Sequence, residues 1–506
     1  MTAAISALSA FQYVGLPHPE IFAGCSILGI GALNFFGPKR TGELAVAVSV
    51  PTAIVVIILG LFTVPHLGEA WHNVRPLTGG FWQNWNGFVG IVLAVSGVEA
   101  IANATSVMKL DPGSSEGHPS VKKTSTPAIL LVVLEVSILT AFLGLGMHAL
   151  GGLQIDNGDV NAPGHPGVRD YMLRYMAEIF VGGQFGPSFG QVAGWIVTGV
   201  FGFLLLSAVN TAIVDLIAIS FLMSRDGELP SRFEKLNSFG VPNLGLIVAT
   251  IIPAILVVAV KDIAGLAELY AVGVVGAIAT NLGATSTDRK LNLAQWERAL
   301  MFCTFLVMAA IEISLLIDKP GARVFAGSVV AVGLVLHGIS VARKRKQPAA
   351  PTPEAEQAET EGAEPRFEFP EGVGSPILCA VRGAGGTLDF AMEIAKDMNR
   401  PLYIMFVREQ AILTLEDQNR IWKNDREAGA LFTYVKKKAD GQPVLPCYAV
   451  SDVPAHTVVD LAVKIGATLL ILGAPRRHML VKLIRGNMVR RVSRFLPEEI
   501  HLLVYA

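Results

Sequence analysis

Charge is scarce in this chain: Asp, Glu, Lys and Arg make up 16% of its 506 residues, against 52% hydrophobic residues. That is too little polar surface for a water-soluble globule of this length. Cysteine is scarce too. Cys25, Cys303, Cys379 and Cys447 form no CxxC and no paired spacing, which argues against disulfides and thiolate metal ligation and suits a reducing cytosol. The histidines are scattered, and no His-Cys or His-carboxylate cluster has metal-ligand spacing. No catalytic constellation is present, so the sequence does not read as an enzyme, and it calls for no obligatory cofactor. A nucleic-acid-binding stripe is missing as well: Arg485, Arg490, Arg491 and Arg494 sit together near a glycine motif, where a solvated or phosphate-facing helix explains them. Residues 2–16 are apolar but lack the basic start and cleavage pattern of a signal peptide.

What the chain has is long apolar runs. From Ile21 to Val341 they recur in blocks of roughly 17 to 25 residues, each able to cross a hydrocarbon core about 30 Å thick. After Gln347 no such run recurs. Nine spans are expected, at about 21–37, 41–64, 87–108, 127–150, 193–223, 241–260, 263–285, 298–317 and 322–342, with residues 2–16 read as the tail of a further helix. The loop 151–192 is expected to be irregular, with one short helix near 169–181.

The net charge of -1 says nothing about partners, but the distribution of basic residues does. One set of loops holds Lys39, Arg40, Lys109, Lys122, Lys123, Arg225, Arg232, Lys235, Arg289, Lys290, Arg298 and the run 343–346, while the opposite set holds only Arg75, Arg169, Arg174, Lys261, Lys319 and Arg323. Basic residues are retained on the cytoplasmic side. The expectation is therefore a multi-pass protein of the inner (plasma) membrane with its C-terminal end in the cytoplasm.

Residues 343–372 turn basic, then rich in Pro, Ala and Glu, which reads as a solvated linker between a membrane part, 1–342, and a soluble part, 373–506. In the soluble part ILCAV, PLYIMFV, PVLPCYAV, TLLILG and IHLLVYA are short buried strands separated mostly by helical patterns, the signature of an open parallel α/β sheet. GAPR at 473–476, followed after nine residues by Gly486 and Asn487, resembles the G-x2-G-x9-G-[S/T] signature of the universal stress protein family. Small residues at such a strand-to-helix turn let backbone N–H groups approach a phosphate. Arg476 and Asn487 depart from the pattern. The resemblance implies a nucleotide site, for ATP or a cyclic dinucleotide, at Gly473, Arg476, Gly486 and Asn487. Arg476 either blocks backbone approach, leaving a dimerisation or regulatory module without ligand, or pairs with the phosphate itself. A homodimer through this domain is a further expectation from the resemblance.

In the membrane part the informative residues are acids that interrupt apolar runs: Glu99, Glu135, Asp215, Glu268 and Glu312. Glu99 has Gly97 just before it and Asn103 one turn beyond, a pattern for a locally unwound helix whose carbonyls and acid line a cavity. Asp215, five residues after Asn210, reads as a helix-to-helix hydrogen-bonding group or else a second polar site, and Glu135, Glu268 and Glu312 as structural or interfacial.

GVEAIAN followed by MKLDP, FLMSRDGELPSRF at 221–233 and LNFFGPKRTGEL at 33–44 together resemble the amino acid–polyamine–organocation (APC) permease superfamily, in the right order over roughly residues 1–342. SGVEAIAN and ELYAVGV are closest to its potassium-uptake branch, which also carries a universal-stress-like tail. The resemblance implies a mainly α transmembrane fold of two inverted five-helix repeats plus a cytosolic α/β domain, with the spans here corresponding to the end of helix three through helix twelve and the earlier helices not represented. It implies a secondary-active transporter of a small cation, potassium coupled to protons, with Ser96, Gly97, Glu99 and Tyr270 at the ion site. The G-V-E portion is shared with amino acid permeases, so an amino acid or organic cation substrate stays open, as does a membrane-tethered nucleotide sensor.

Overall fold

The computed structural model describes residues 1–37, 41–75, 78–91, 111, 114, 120–156, 159–291, 293–346, 374–411, 421–439, 442–474 and 488–505. It divides into two compact units, one of Met1–Gly31, Arg40–Leu216 and Ile247–Gly338, the other of Ala32–Lys39, Ile217–Leu246 and Ile339–Ala506.

The first unit is helical. Its elements are α1 (Thr2–Val14), α2 (Pro19–Asn34), α3 (Thr41–Thr63), α4 (Leu67–Asn73), α5 (Phe81–Ile91), α6 (Lys122–Met147), α7 (Met172–Phe185), α8 (Pro187–Asp226), α9 (Asn243–Val260), α10 (Ile263–Thr287), α11 (Gln295–Asp318) and α12 (Pro320–Lys346), of which α2, α8, α9 and α12 each have one end in the second unit. Among the described residues seven helical stretches are long and apolar enough to cross a bilayer. Two of the nine expected spans are not among them. Pro19–Asn34 is apolar but shorter, and the span expected at 87–108 is described only as far as Ile91. These helices carry large apolar side chains outward, such as Leu131, Phe203, Ile255 and Leu334, as helices facing lipid do. The loop expected to be irregular holds a small antiparallel pair, β1 (Gln154–Asp156) with β2 (Asp159–Asn161), before α7.

Two cores organise this unit. One gathers Tyr13 of α1, Leu59 of α3, Ala70 of α4, Leu143 of α6, Phe180 of α7 and Val197 of α8. There α6 comes so close to α3 that a Cβ on Gly146 would collide with the Thr63 side chain, the small-residue contact by which membrane helices pack. Arg174 locks the same region: its Nη1 donates to the Tyr13 carbonyl at 2.9 Å, its Nε to Glu178 at 2.8 Å, and its guanidinium lies 4.7 Å from the Trp195 ring. The other core joins Val89 of α5, Ala271, Val272 and Val275 of α10, Ile311 and Leu315 of α11, and Ala322 of α12.

In the second unit the C-terminal domain is a five-stranded parallel sheet of β3 (Ile377–Ala380), β4 (Leu402–Glu409), β5 (Val444–Ser451), β6 (Leu469–Gly473) and β7 (His501–Tyr505), in the order β5-β4-β3-β6-β7. Helices α13 (Gly386–Asp397), α14 (Arg426–Lys438), α15 (Pro454–Lys464) and α16 (Met488–Phe495) cover it. Alternation decides the layers. Ile377, Cys379, Ile404 and Phe406 pack with α13 and α14, while Leu378, Met405, Leu470 and Leu472 pack with α15 and α16. Both faces are thus buried, as a parallel sheet requires. Burial pushes the Cys379 thiol up to about 12.

Candidate functional sites

Of the residues assigned to the ion site, Ser96, Gly97 and Glu99 lie outside the described residues. Tyr270 is described. It sits half-buried on α10, and its neighbours Leu269 and Ala271 belong to the core that also holds Val89 of α5. Trp85 of α5 donates its indole N–H to Ser314 Oγ of α11 at 2.8 Å. α5 is thus bonded to α11 and shares a core with α10, the helix that bears Tyr270.

The other membrane acids separate. Glu268 is ion-paired with Lys319 and Glu135 is exposed on α6. Asp215, expected to bond another helix, has no hydrogen-bond partner among the described residues and faces outward from α8. The reason is local: its turn of α8 presents Asp215 and Leu216 to the outside while Ile213 and Ile217 take the buried side. Glu312 is the acid that the sequence undervalued. Its Oε1 lies against Gly276, near the middle of α10, and its Oε2 is buried without a hydrogen-bond partner among the described residues. An apolar run does not say which face of a helix points inward, so nothing in the spacing distinguished Glu312 from Glu135.

Asp111 in MKLDP has a structural task. Its carboxylate accepts the N–H of Lys123 at 2.9 Å and of Thr124 at 3.2 Å, and the Ser120 and Thr124 hydroxyls at 3.0 Å each. These bonds, the Lys123 N–H foremost, hold the carboxyl below the ordinary carboxylate range. They satisfy orphan donors in the first turn of α6.

In the C-terminal domain the strand order reverses direction between β3 and β6, and the carboxyl ends of these two strands mark the switch point, called the crevice below, where open α/β sheets bind ligands. Gly473 ends β6 at this crevice. A Cβ there would fall 2.9 Å from Thr387 Oγ1, in the first turn of α13, so a glycine is what lets the strand end and the helix start meet. Arg476, Gly486 and Asn487 lie outside the described residues; α16 begins directly after them. On the other side of the crevice, β3 runs into a glycine-rich turn, Gly383, Gly385 and Gly386, that opens α13. Sequence reasoning missed this turn, although its strand, glycine turn and helix order is the same phosphate-cradling logic as the 473–487 segment. Arg382, which precedes it, is ion-paired with Glu409 at the end of β4.

Residues 2–338 match the family model described as Amino acid permease. The chain belongs to that family. Residues 375–497 of this permease match the Universal stress protein family. No curated protein matches the permease. Among solved structures it is similar to one titled "Structure of universal stress protein from Archaeoglobus fulgidus", at 19% identity and TM-score 0.21, over 26% of this chain and 100% of that one. By its two family matches the permease is a multi-pass membrane transporter with a universal-stress-type α/β domain toward its C-terminal end.

Proposed function

We propose that the permease is a secondary-active transporter of potassium, coupled to protons and working by alternating access in the inner membrane, with the α/β domain in the cytoplasm as its regulator. The observation that carries this reading is the occurrence in one sequence of S-G-V-E at 96–99 and E-L-Y-A-V-G-V at 268–274, the two stretches most like the potassium branch. Support comes from α5, which precedes Glu99 in the sequence and shares a core with the helix of Tyr270. In this reading Ser96, Gly97, Glu99 and Tyr270 form the cation site. Ser96 offers the hydroxyl oxygen a hard cation takes, Gly97 frees backbone carbonyls, and Glu99 supplies the charge.

The motif Gly473, Arg476, Gly486 and Asn487 binds a nucleotide, ATP or a cyclic dinucleotide, and the α/β domains of two copies pair. A second reading, transport of an amino acid or organic cation, draws on the family description and on the G-V-E segment common to both substrate classes. Expression in a host lacking potassium uptake separates them. Growth at low potassium, with uptake unaffected by excess amino acids, is the expected result. Accumulation of an amino acid without potassium rescue would assign the second reading. Neither, with nucleotide binding retained, would leave a membrane-tethered sensor.

A further inference from the structure

The turn between α8 and α9 is built to present one carbonyl. Asn237 N–H donates to Val241 O at 2.8 Å, and Gly240 N–H to Asn237 O at 3.0 Å. The Asn237 side chain accepts from the N–H of Phe239 at 2.8 Å and of Val241 at 3.1 Å. Gly240, at φ +77, lies at its tip. The turn is also braced from behind: Asn237 Nδ2 donates to Phe35 O at 2.9 Å, and the Phe239 ring packs edge-on against Phe35 and Phe36 at 5.7 and 5.2 Å.

The Gly240 carbonyl accepts the N–H of Ala411 at 3.1 Å, just past the carboxyl end of β4. Approach is so close that a Cβ on Gly240 would collide with the Glu409 carbonyl oxygen and lie 2.8 Å from its carbon. Two independent constraints, left-handed backbone and contact distance, therefore demand glycine here. The contact falls at the carboxyl-end edge of the sheet. Glu409, whose backbone touches Gly240, holds Arg382 through its side chain, and Arg382 leads into the glycine turn at the crevice.

We infer that the turn 237–241 is the docking surface for the α/β domain of the same chain, and that Glu409 is the lever shared between this surface and the crevice. An anionic phosphate group entering at the glycine turn competes with Glu409 for Arg382. Release of Arg382 loosens the strand end that grips Gly240, and with it the ends of α8 and α9. The competing ligand rests on the nucleotide reading above; the docking and the lever do not.

The test is hydrogen–deuterium exchange of the full chain in nanodiscs without ligand, followed by addition of ATP as the probe. Gly240→Val should raise exchange of the segment ending at Ala411 by about fivefold or more, the effect of one lost backbone hydrogen bond. Ala411→Pro removes the same bond from the other side and should deprotect the turn 237–241, which guards against misfolding of one variant. Arg382→Ala should raise exchange at 237–241 although it touches no atom there. Unchanged exchange in both Gly240→Val and Ala411→Pro would overturn the docking, and an unmoved turn in Arg382→Ala would overturn the lever. ATP should reproduce the Arg382→Ala pattern in the native chain. If ATP has no effect while the three variants behave as stated, the nucleotide reading fails and the docking and lever stand.

Discussion

Replacing Asp425 tests whether the α/β domain is held by specific chemistry or by burial alone. The Asp425 side chain is only 4% exposed. Its Oδ1 accepts the N–H of Glu427 at 3.0 Å and of Ala428 at 3.2 Å, capping α14, and is ion-paired with Arg408 Nη2. Its Oδ2 accepts from Arg408 Nε at 2.7 Å and from the Tyr448 hydroxyl at 3.1 Å, reaching β4 and β5 at once. Loss of a helix cap costs about 1 kcal/mol, and loss of one partner of a buried pair about 3–5 kcal/mol. The same atoms serve both tasks and Arg408 keeps Glu427 at 2.8 Å, so the two costs overlap. Asp425→Ala should cost about 3 kcal/mol. Hydrogen exchange of the full chain reads this as a loss of roughly a hundredfold in protection across α14, at Leu431, Phe432 and Val435. Asp425→Asn keeps the cap and should fall between. Burial pushes the Asp425 carboxyl up, but the Arg408 hydrogen bonds and charge outweigh it with the cap bonds, and the net position is below the ordinary value. Its contribution is therefore complete above the unfolded value of about 3.9 and is lost as pH falls through the lower folded value. Native and Asp425→Ala chains should converge in acid. Equal protection at pH 7 would refute the reasoning.

Three further outcomes follow from the same geometry. Gly473→Ala should destabilise the domain by about 1–3 kcal/mol through its contact with Thr387, and Thr387→Ala should restore most of the loss; denaturation of the double variant checks this, and no rescue would contradict the contact. Glu312→Met should raise thermal stability, because it removes a buried carboxyl oxygen without a partner, worth about 1–3 kcal/mol; a lower melting temperature in detergent would mean that Glu312 is satisfied in the membrane. Cys379, with its thiol at about 12, should resist alkylation at pH 8 until the domain unfolds; rapid labelling of the folded chain, located by mass spectrometry, would place β3 at a surface.

The sequence carried the architecture well because each layer has its own period. Long apolar runs located α3, α6 and α8 to α12, and five short apolar runs between turn residues located β3 to β7, all parallel, with both faces buried. What was illegible is what periodicity cannot encode. Nothing in the run around Glu312 marks it as facing Gly276, and nothing in the run around Asp215 marks it as facing outward. Tertiary bonds between distant segments were equally hidden: Asp111 onto the first turn of α6, Arg174 onto Tyr13, and Ala411 onto Gly240. The glycine turn at 383–386 was legible and went unread, because the stronger likeness at 473–487 drew the phosphate argument to the other side of the crevice.

Potassium movement through a site at Glu99 is the activity proposed for the permease. The measurement that tests it most directly is rubidium flux, as the potassium surrogate, into proteoliposomes containing the full chain or its Glu99→Gln variant, at matched incorporation and with an imposed proton gradient. The account predicts gradient-dependent flux for the native chain, competed by potassium, and loss of at least tenfold in Glu99→Gln. Equal flux in the two, or amino acid flux with no rubidium flux, would contradict it.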